Sequence, residues 1–359
     1  MAARLISADE AIARMALAEI DGGFSNIIDA RTEDEFDLDH LPGALNWPSL
    51  TNEERIRVGT LYKQVSAFEA NKIGASLVSS NISRHIDRYV MPLGKDWQPL
   101  IYCWRGGKRS GSLALVLGQI GFRVWLIEGG YKAFRAAMVN DIARLVPALR
   151  FRVITGPTGS GKTRLLQALS HAGAQVLDLE ELARHRSSVL GRIPGKAQPS
   201  QKHFDTLVWD KLRGFDSSKT VFVEAESKKV GNVAVPQALM DVMRQSPCID
   251  LQLSDDERVK LLLEDYAFFA NDLGLFSERL SLLNEVKGKS VVQAWQQQLL
   301  NGQVEAVVKD LLLSHYDPTY ARSVARNFVQ YPQAVAVALP DGHTTSMQAL
   351  AFRLLNESQ

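Results

Sequence analysis

A glycine-rich loop with a single lysine is the first stretch of the sequence whose residue types could do chemistry. Residues 156–163 read GPTGSGKT and fit the phosphate-binding pattern GxxxxGK[ST] at every fixed position. An apolar run at 151–154 precedes the loop and a helical pattern follows it, which is the context that the pattern needs. The backbone N–H groups would surround an anion, Lys162 would reach its terminal phosphate, and Thr163 could hold Mg²⁺. The candidate phosphate-binding residues are Gly156, Thr158, Gly159, Ser160, Gly161, Lys162 and Thr163.

A second loop places a cysteine among cations. Residues 103–110 read CWRGGKRS, after a short apolar strand at 100–102 and before a helical pattern at 111–120. A cysteine at the end of a strand, above a helix N-terminus and close to Arg and Lys, favours the thiolate, which is the nucleophilic form. Cys103 is therefore the candidate catalytic residue. The remaining candidates in this active-site loop are Trp104, Arg105, Gly106, Gly107, Lys108 and Arg109.

Composition indicates an ordinary globular protein and excludes several other classes. The chain has 359 residues, a net charge of +1, 46% hydrophobic residues and 23% charged residues. Its two cysteines, Cys103 and Cys248, exclude a disulfide framework and a cysteine metal cluster, and Cys248 reads as a packed core thiol. Since residues 1–20 lack a signal-peptide core and no apolar run is long enough to cross a bilayer, we expect a cytoplasmic protein without membrane partners.

Strand and helix patterns alternate along the chain, which predicts parallel sheets with helices on both faces. The boundary near residues 146–148 divides the sequence into domains at 1–147 and 148–359. The second domain should continue beyond residue 254 as a helical C-terminal part. The predicted strands are 26–30, 100–102, 123–127, 151–154, 175–179, 220–225 and 248–253, with late strands within 328–339. The predicted helices of the C-terminal part are 255–273, 276–286, 290–313 and 344–355.

Several motifs resemble those of a rhodanese domain: DAR at 29–31, HLPGA at 40–44, the Cys103 loop, and EGGY at 128–131. A rhodanese domain ahead of a phosphate loop resembles the tRNA 2-selenouridine synthase family, and the likeness covers nearly the whole chain. Further motifs agree with that family, namely ARHR at 183–186, EAES at 224–227 and YDPTY at 316–320. The resemblance implies a rhodanese-like α/β domain followed by a P-loop NTPase-like α/β domain with a helical C-terminal extension.

The resemblance also implies an activity. The family replaces the sulfur of wobble 2-thiouridine in tRNA with selenium, by way of an S-geranylated intermediate. Geranyl diphosphate supplies the prenyl group and selenophosphate supplies the selenium, with selenophosphate synthetase as the enzyme that would deliver it. The residues themselves indicate only a thiolate and an anion-binding loop, so Cys103 could either receive selenium as a selenosulfide or help to eject the geranyl thiol. The sequence does not decide which ligand the phosphate loop holds.

Two further groups are candidates for supporting roles. Glu224 and Glu226 end a predicted strand, where they could assist a metal or a base, or could be solvated. Residues 182–232 carry ten Lys or Arg against five Asp or Glu, which would attract a phosphate-rich ligand or nucleic acid, although a solvated surface fits the charge equally well. The candidate contacts to diphosphate or tRNA in this stretch are Arg184, Arg186, Lys228 and Lys229.

Two other functions compete with the transferase. The spacing from Cys103 to Arg109, with five residues between them, fits the minimal Cys-x5-Arg pattern of phosphatases. However, Tyr102 stands where a phosphatase usually has histidine. The stronger alternative is an NTP-dependent kinase or switch, in which the rhodanese part is a regulatory module. Robust NTP hydrolysis that is indifferent to Cys103 would favour the switch, whereas loss of all activity without Cys103 would favour the transferase.

Overall fold

A computed structural model describes residues 2–186, 188 and 190–357, which group into two compact units. Unit 1 comprises the described residues of Met1–Asp141 together with Asp205–Asp210, and unit 2 comprises those of Ile142–Phe204 and Lys211–Gln359. In the part of the chain that is described, no helix is both long enough and apolar enough to cross a membrane.

The first part of the chain forms short strands separated by helices. The strands are β1 (Arg4–Ile6), β2 (Ile27–Asp29), β3 (Ala44–Asn46), β4 (Leu100–Tyr102) and β5 (Trp125–Ile127). The helices are α1 (Ala8–Met15), α2 (Glu33–Leu38), α3 (Asn52–Gln64), α4 (Ala67–His85), α5 (Lys108–Ile120) and α6 (Gly130–Leu145).

The sheet of unit 1 has five strands in the order β1-β5-β4-β2-β3, and every neighbouring pair is parallel. Its central strands are buried on both faces, as Ile28, Leu100 and Ile101 show, because helices cover a parallel sheet from both sides. The predicted parallel sheet is confirmed. The edge strand β1 was not predicted, because only Ile6 of its three residues is buried and the alternation that marks a strand is too short to detect.

A buried ion pair lies at the end of β2. Asp29 and Arg31 are 0% and 1% exposed, and the Arg31 guanidinium donates two hydrogen bonds to Asp29 Oδ2, at 3.0 Å and 2.6 Å. Arg31 also donates to the carbonyl oxygen of Asp39 at 2.6 Å and lies 4.0 Å from the centre of the Tyr131 ring. The Tyr131 hydroxyl in turn donates to Asp39 at 2.5 Å, so one guanidinium joins three segments of unit 1.

The second part of the chain adds seven strands and twelve helices in the described residues. The strands are β6 (Arg150–Thr155), β7 (Gln175–Leu177), β8 (Thr220–Glu224), β9 (Lys229–Val230), β10 (Val233–Ala234), β11 (Cys248–Gln252) and β12 (Val335–Ala338). The helices are α7 (Lys162–His171), α8 (Leu179–Ala183), α9 (Gln201–Arg213), α10 (Gln237–Gln245), α11 (Asp255–Asp265), α12 (Ala267–Asn271), α13 (Leu273–Leu280), α14 (Asn284–Lys287), α15 (Lys289–Leu300), α16 (Val304–Leu311), α17 (Asp317–Asn327) and α18 (Thr344–Asn356).

The five-stranded sheet of unit 2 is also parallel, in the order β12-β11-β6-β8-β7, and β9 and β10 form a separate antiparallel pair. Leu165 of α7 and Met347 of α18 pack with Phe222 of β8 and Leu251 of β11 in one buried apolar cluster. A separate apolar cluster around Trp295 holds the helices after residue 265 together. The unit therefore has a sheet core and a helical core, as the predicted helical C-terminal part requires.

Two predictions for the C-terminal part were wrong in detail. The three helices predicted at 255–273, 276–286 and 290–313 are each divided, the first at Tyr266 and Asp272, the second at a 3₁₀ turn (Ser281–Leu283) and the third at residues 301–303. Glycine is a poor helix former, so Gly302 is consistent with the break at residues 301–303, whereas Gly288 lies between two of the predicted helices, where a gap was expected. In residues 328–339 the chain forms the single strand β12, because Pro332 stands in a short 3₁₀ turn at Tyr331–Gln333 just before it.

The Arg31 pair predicts a large stability effect. We expect Arg31→Leu to lower the free energy of unfolding by about 3–5 kcal/mol, because it leaves the Asp29 carboxylate buried without its partner. Urea titration followed by tryptophan fluorescence measures this in unit 1, since five of the six tryptophans lie there. Arg57→Leu, at an exposed position on α3, is the matched control and should cost little. Equal costs for the two substitutions would contradict the prediction.

Candidate active site

The phosphate loop connects the end of β6 to the start of α7. Gly161 caps α7 with a left-handed backbone (φ 88°) and without a side-chain hydrogen bond, so the first N–H groups of the helix lack a cap. A Cβ at Gly161 would lie 2.4 Å from Met347 Cε, so a larger residue would have to push the end of the Met347 side chain aside and would also be strained by the positive φ. Within the described structure, the buried Ser160 hydroxyl has no hydrogen-bond partner. Open N–H groups and an unpartnered hydroxyl at a helix N-terminus form an anion site.

Lys162 folds back over its own loop. Its Nζ donates to the carbonyl oxygens of Gly156 at 2.7 Å and Pro157 at 3.2 Å. Burial lowers the pKa of Lys162, and the nearby carboxylates of Glu180, Glu226 and Glu224 oppose that shift. A bound anion would favour the charged lysine in the same direction as these carboxylates, so anion binding and protonation of Lys162 support each other.

A group of carboxyl side chains lies beside the loop, at the carboxyl edge of the sheet. Glu224 Oε1 accepts hydrogen bonds from the backbone N–H groups of Leu179 at 2.7 Å and Glu180 at 3.0 Å. Burial raises the pKa of Glu224 well above its usual range, and the charges of Asp178 and Glu226 act in the same direction. Glu224 thus caps the N-terminus of α8 and positions Glu180, whose carboxylate lies 3.4 Å from the Thr163 hydroxyl.

The residues beside the loop also include possible ligands for a metal ion. Among the described residues there is no group of three or more His, Cys, Asp or Glu arranged to hold an ion. Mg²⁺ usually needs only one or two protein ligands besides phosphate oxygens and water. Thr163 and Glu180, together with the unpartnered Glu224 Oε2, are compatible with that arrangement next to a bound diphosphate.

Two residues outside the loop hold it in place. Arg258 of α11 is 3% exposed, and its Nε donates to the Thr158 carbonyl oxygen at 2.9 Å. Its two terminal nitrogens bind Asp317 at 3.0 Å and 2.5 Å. The Gly156 N–H donates to the Tyr320 hydroxyl at 2.6 Å, which ties the start of the loop to α17.

Sequence reasoning missed Arg258 altogether and noted Tyr320 only within the YDPTY motif. One signal could have identified Arg258. It follows three acidic residues in the first turn of α11, where the helix dipole disfavours a cation. A cation in this unfavourable position suggests that its side chain has a specific partner elsewhere in the fold. Nothing in the sequence indicates that this partner is Thr158.

Two adjoining cavities open from the loop. The first, about 270 Å³, has a mixed wall that includes the charged side chains of Lys162, Glu180 and Glu226. The second, about 60 Å³, has an almost wholly apolar wall. The apolar wall includes Leu190, Leu263, Phe269, Phe276, Val304, Val308, Leu311 and Leu312. Both cavities are lined by Thr158, Ser188, Leu262, Tyr266 and Tyr316. A ligand with a phosphate at one end and an apolar chain at the other would therefore fit across them.

The four basic candidates separate into two kinds. Arg186 lines the polar cavity, lies 4.6 Å from the centre of the Tyr266 ring and is 3.8 Å from Asp265. Arg184, Lys228 and Lys229 are exposed, and none of them is among the described residues that line this cavity. The position of Arg186 suits contact with the ligand of the cavity, whereas the other three suit contact with a macromolecule.

Cys103 directly follows β4 and is 3% exposed. The hydroxyl of Ser110, in the first turn of α5, donates to Cys103 Sγ at 3.1 Å. The carbonyl oxygen of Gly107 lies 3.9 Å from the same sulfur. The sulfur therefore lies at the N-terminus of α5, in contact with one hydroxyl and one carbonyl oxygen. Cys248, by contrast, is buried in β11, where burial raises the pKa of its thiol to about 11.

The Cys103 loop rests on the start of α6. The Tyr131 N–H donates to the Cys103 carbonyl oxygen at 2.8 Å, and the Trp104 ring stacks on the Tyr131 ring at 5.4 Å. A Cβ at Gly130 would lie 2.3 Å from the Cys103 carbonyl oxygen and 2.5 Å from the Gly106 nitrogen. Only glycine at 130 allows this close approach, which explains the EGGY motif physically.

The cations of this loop differ in exposure. Arg105 and Lys108 are exposed, so they are available to a phosphate backbone. Arg109 instead binds Glu35 at 2.5 Å. Burial alone would raise the pKa of Glu35, but the hydrogen bond and charge of Arg109 hold it below its usual value. Arg109 therefore fixes the loop to α2.

Comparison with known protein families agrees with both halves of this description. Residues 7–137 match the rhodanese-like domain model, and residues 149–274 match the tRNA 2-selenouridine synthase AAA domain model. The predicted rhodanese-like domain and the phosphate-loop domain with its helical C-terminal part are confirmed.

Several curated relatives are similar to this chain, and each is named tRNA 2-selenouridine synthase. The protein of Nitrosomonas europaea is 38% identical over 67% of this chain, and the match spans only 63% of that relative's length. The protein of Marinobacter nauticus is 31% identical over 82% of this chain and 87% of its own length. The protein of a Sulfurovum species is 30% identical over 84% of this chain and 89% of its own length. With identity at this level over most of two relatives, the chain belongs to the tRNA 2-selenouridine synthase family.

Proposed function

We propose that the chain converts wobble 2-thiouridine in tRNA to 2-selenouridine through S-geranyl-2-thiouridine, with geranyl diphosphate and selenophosphate as co-substrates. The supporting observation is the continuity of a phosphate-loop cavity with an apolar cavity in unit 2. A prenyl diphosphate has one highly charged end and one apolar end, which matches the two walls. The proposed setting is the cytoplasm, where a catalytic thiol stays reduced, and selenophosphate synthetase is the proposed source of selenophosphate.

In the first half-reaction, the sulfur of 2-thiouridine attacks C1 of geranyl diphosphate. A C–S bond forms, the C–O bond to diphosphate breaks, and the nucleoside loses the proton on N3. Lys162 and the loop N–H groups would stabilise the negative charge that develops on the departing diphosphate. Mg²⁺, if held beside Thr163 and Glu180, would neutralise the same charge. Arg186, which lines the polar cavity, is the proposed additional diphosphate contact.

In the second half-reaction, we propose that Cys103 acts as the nucleophile toward C2 of the geranylated base. Its thiolate attacks C2 of the geranylated base, the C2–S bond to the geranyl group breaks, and the geranyl thiolate takes a proton from water. The selenium of selenophosphate then displaces Cys103, and water cleaves the P–Se bond to release phosphate. A selenosulfide on Cys103 is less suitable, because thiolate and selenophosphate are both reduced and their coupling into an S–Se bond with release of phosphate would need an oxidant.

Exposed cations outside the cavity are the proposed tRNA contacts. Arg184, Lys228 and Lys229 lie on the surface of unit 2, and Arg105 and Lys108 lie on the surface of unit 1. Removing a true phosphate contact should flatten the dependence of tRNA affinity on salt, which a titration at several salt concentrations would measure.

Lys162→Ala should weaken binding of geranyl diphosphate by about 1.5–3 kcal/mol, the worth of a charge-assisted contact, and should abolish geranylation of thiolated tRNA. Isothermal titration with geranyl diphosphate and mass spectrometry of tRNA nucleosides measure the two effects. Lys289→Ala, at an exposed position on α15, is the control and should match the wild type. Geranylation by Lys162→Ala at the wild-type rate would exclude the phosphate loop as the donor site. NTP hydrolysis that is lost in Lys162→Ala but unchanged in a Cys103 variant would favour the NTP-dependent switch.

Val308→Phe should distinguish a prenyl diphosphate from other phosphate ligands. Val308 is half-buried on α16 and lines the apolar cavity. The added ring should raise the KM for geranyl diphosphate about tenfold, equivalent to losing roughly two buried methylenes at about 0.8 kcal/mol each. The KM for dimethylallyl diphosphate, whose prenyl chain is half as long, should change much less in Val308→Phe.

Ala306→Phe places the same ring on the exposed side of α16 and serves as the matched control. If Val308→Phe changes the KM of both donors equally, the apolar cavity is not the site of the chain.

Cys103→Ser should retain the fold and geranyl transfer but lose selenation, since the two half-reactions use different groups. The measurement supplies pre-geranylated tRNA and selenophosphate and follows 2-selenouridine by mass spectrometry. Cys248→Ser is the matched control, because this buried thiol has no proposed role. Formation of 2-selenouridine by Cys103→Ser at the normal rate would show that Cys103 is structural.

A further inference from the structure

Unit 1 contains a large groove that the two half-reactions above leave unused. It has a volume of about 720 Å³ and lies among residues of α3, α4 and α5. Its apolar lining includes Val58, Ala75, Val78, Ile82, Leu115 and Val116. We name it the α4–α5 groove.

The α4–α5 groove shares its walls with the surroundings of the catalytic cysteine. Ile82 belongs to the same buried apolar cluster as Cys103, and Val78 and Val116 pack against that cluster. The groove is also lined by Lys108 and Arg109, the first two residues of α5. These two cations belong to the Cys103 loop, so one end of the groove lies at the active-site loop.

The lining combines two chemical features that seldom occur together. Most of the wall is aliphatic or small, while the cationic Lys108 and Arg109 stand where α5 begins. Lys108 is exposed, so its charge is available to a phosphate, whereas Arg109 is already bound to Glu35. A simple anion would need no apolar channel, and a plain hydrocarbon would need no cation. An apolar chain attached to a nucleotide meets both requirements.

We propose that the α4–α5 groove binds the ten-carbon prenyl chain of S-geranyl-2-thiouridine while Cys103 attacks C2, with Lys108 facing the RNA backbone. This inference rests on the proposed function, because that function is what brings a geranylated base to Cys103. The groove would select tRNA that has already been geranylated over tRNA that still carries the small thiocarbonyl sulfur. Unit 1 would therefore recognise the intermediate by the substituent that leaves.

The test compares two anticodon stem-loop RNAs, one with S-geranyl-2-thiouridine and one with S-methyl-2-thiouridine. Ala75→Phe and Ser79→Phe each place a ring in the groove from exposed positions one turn apart on α4, so neither disturbs the buried cluster. Ser76→Phe adds the same ring at an exposed position of α4 that is not part of the lining, and is the matched control. All variants carry Val308→Phe as well, so that the apolar cavity of unit 2 does not contribute binding of the chain.

The affinity ratio of the S-geranyl RNA to the S-methyl RNA, measured without selenophosphate, is the primary readout. We expect Ala75→Phe and Ser79→Phe each to lower this ratio about tenfold, equivalent to roughly two methylenes left in water, while Ser76→Phe leaves it unchanged. Selenation of the S-geranyl RNA should fall in parallel in both groove variants. Unchanged ratios in both groove variants, with circular dichroism showing intact folding, would overturn the proposal, as would an equal loss in Ser76→Phe.

The same experiment distinguishes failure of the proposed function from failure of the proposed groove. If the wild-type protein forms no 2-selenouridine from the S-geranyl RNA and selenophosphate, the proposed activity fails whatever the binding ratios are. If it forms 2-selenouridine but the groove variants keep their binding ratio, the activity stands and the α4–α5 groove is not the site of the chain.

Discussion

The site of unit 2 depends on one buried guanidinium. Arg258 reaches from α11 to the Thr158 carbonyl oxygen of the phosphate loop, and it holds Asp317 at the start of α17 with its other nitrogens. Because α17 also carries Tyr320, whose hydroxyl accepts from the Gly156 N–H, the loop is fixed at its first residue and at its third. Without Arg258 the loop carbonyl and the Asp317 carboxylate would both lose a charged partner, and the wall that α17 contributes to the cavity would lose its anchor.

The side chain of Lys162 is hydrogen-bonded within its own loop. Lys162 satisfies its charge on the carbonyl oxygens of Gly156 and Pro157, while burial lowers its pKa. A phosphate-bearing ligand that bound Lys162 would replace these two hydrogen bonds and would supply two or more negative charges in return. The exchange favours ligands with high charge density, since a neutral ligand would gain nothing from displacing Lys162 from its own loop. The diphosphate of the proposed donor would meet this requirement.

The parts of the site that could be predicted from the sequence are those set by local backbone geometry. The phosphate loop and the Cys103 loop are continuous segments whose residue types dictate their turns, and both occur in the predicted strand–loop–helix setting. The role of Arg258 could not be assigned, because its partners are distant in the sequence: Thr158 lies 100 positions away and Asp317 lies 59 positions away. The apolar cavity could not be predicted either, since Phe269, Phe276 and Leu311 come from three separate helices, and the pattern of each helix indicates only a buried face. The breaks at Tyr266 and Gly302 were missed because periodicity continues across them.

One substituent can serve both chemistry and recognition in such an enzyme. Thiocarbonyl sulfur leaves a ring carbon poorly, and alkylation converts it into a better leaving group. The same alkyl chain adds ten apolar carbons to a nucleotide that is otherwise polar, and each methylene withdrawn from water is worth about 0.8 kcal/mol. A short chain would activate the sulfur equally well but would give the protein little to bind. Under the proposed function, the length of the prenyl group would therefore serve recognition rather than reactivity, and it would require an apolar surface wherever the modified base is bound.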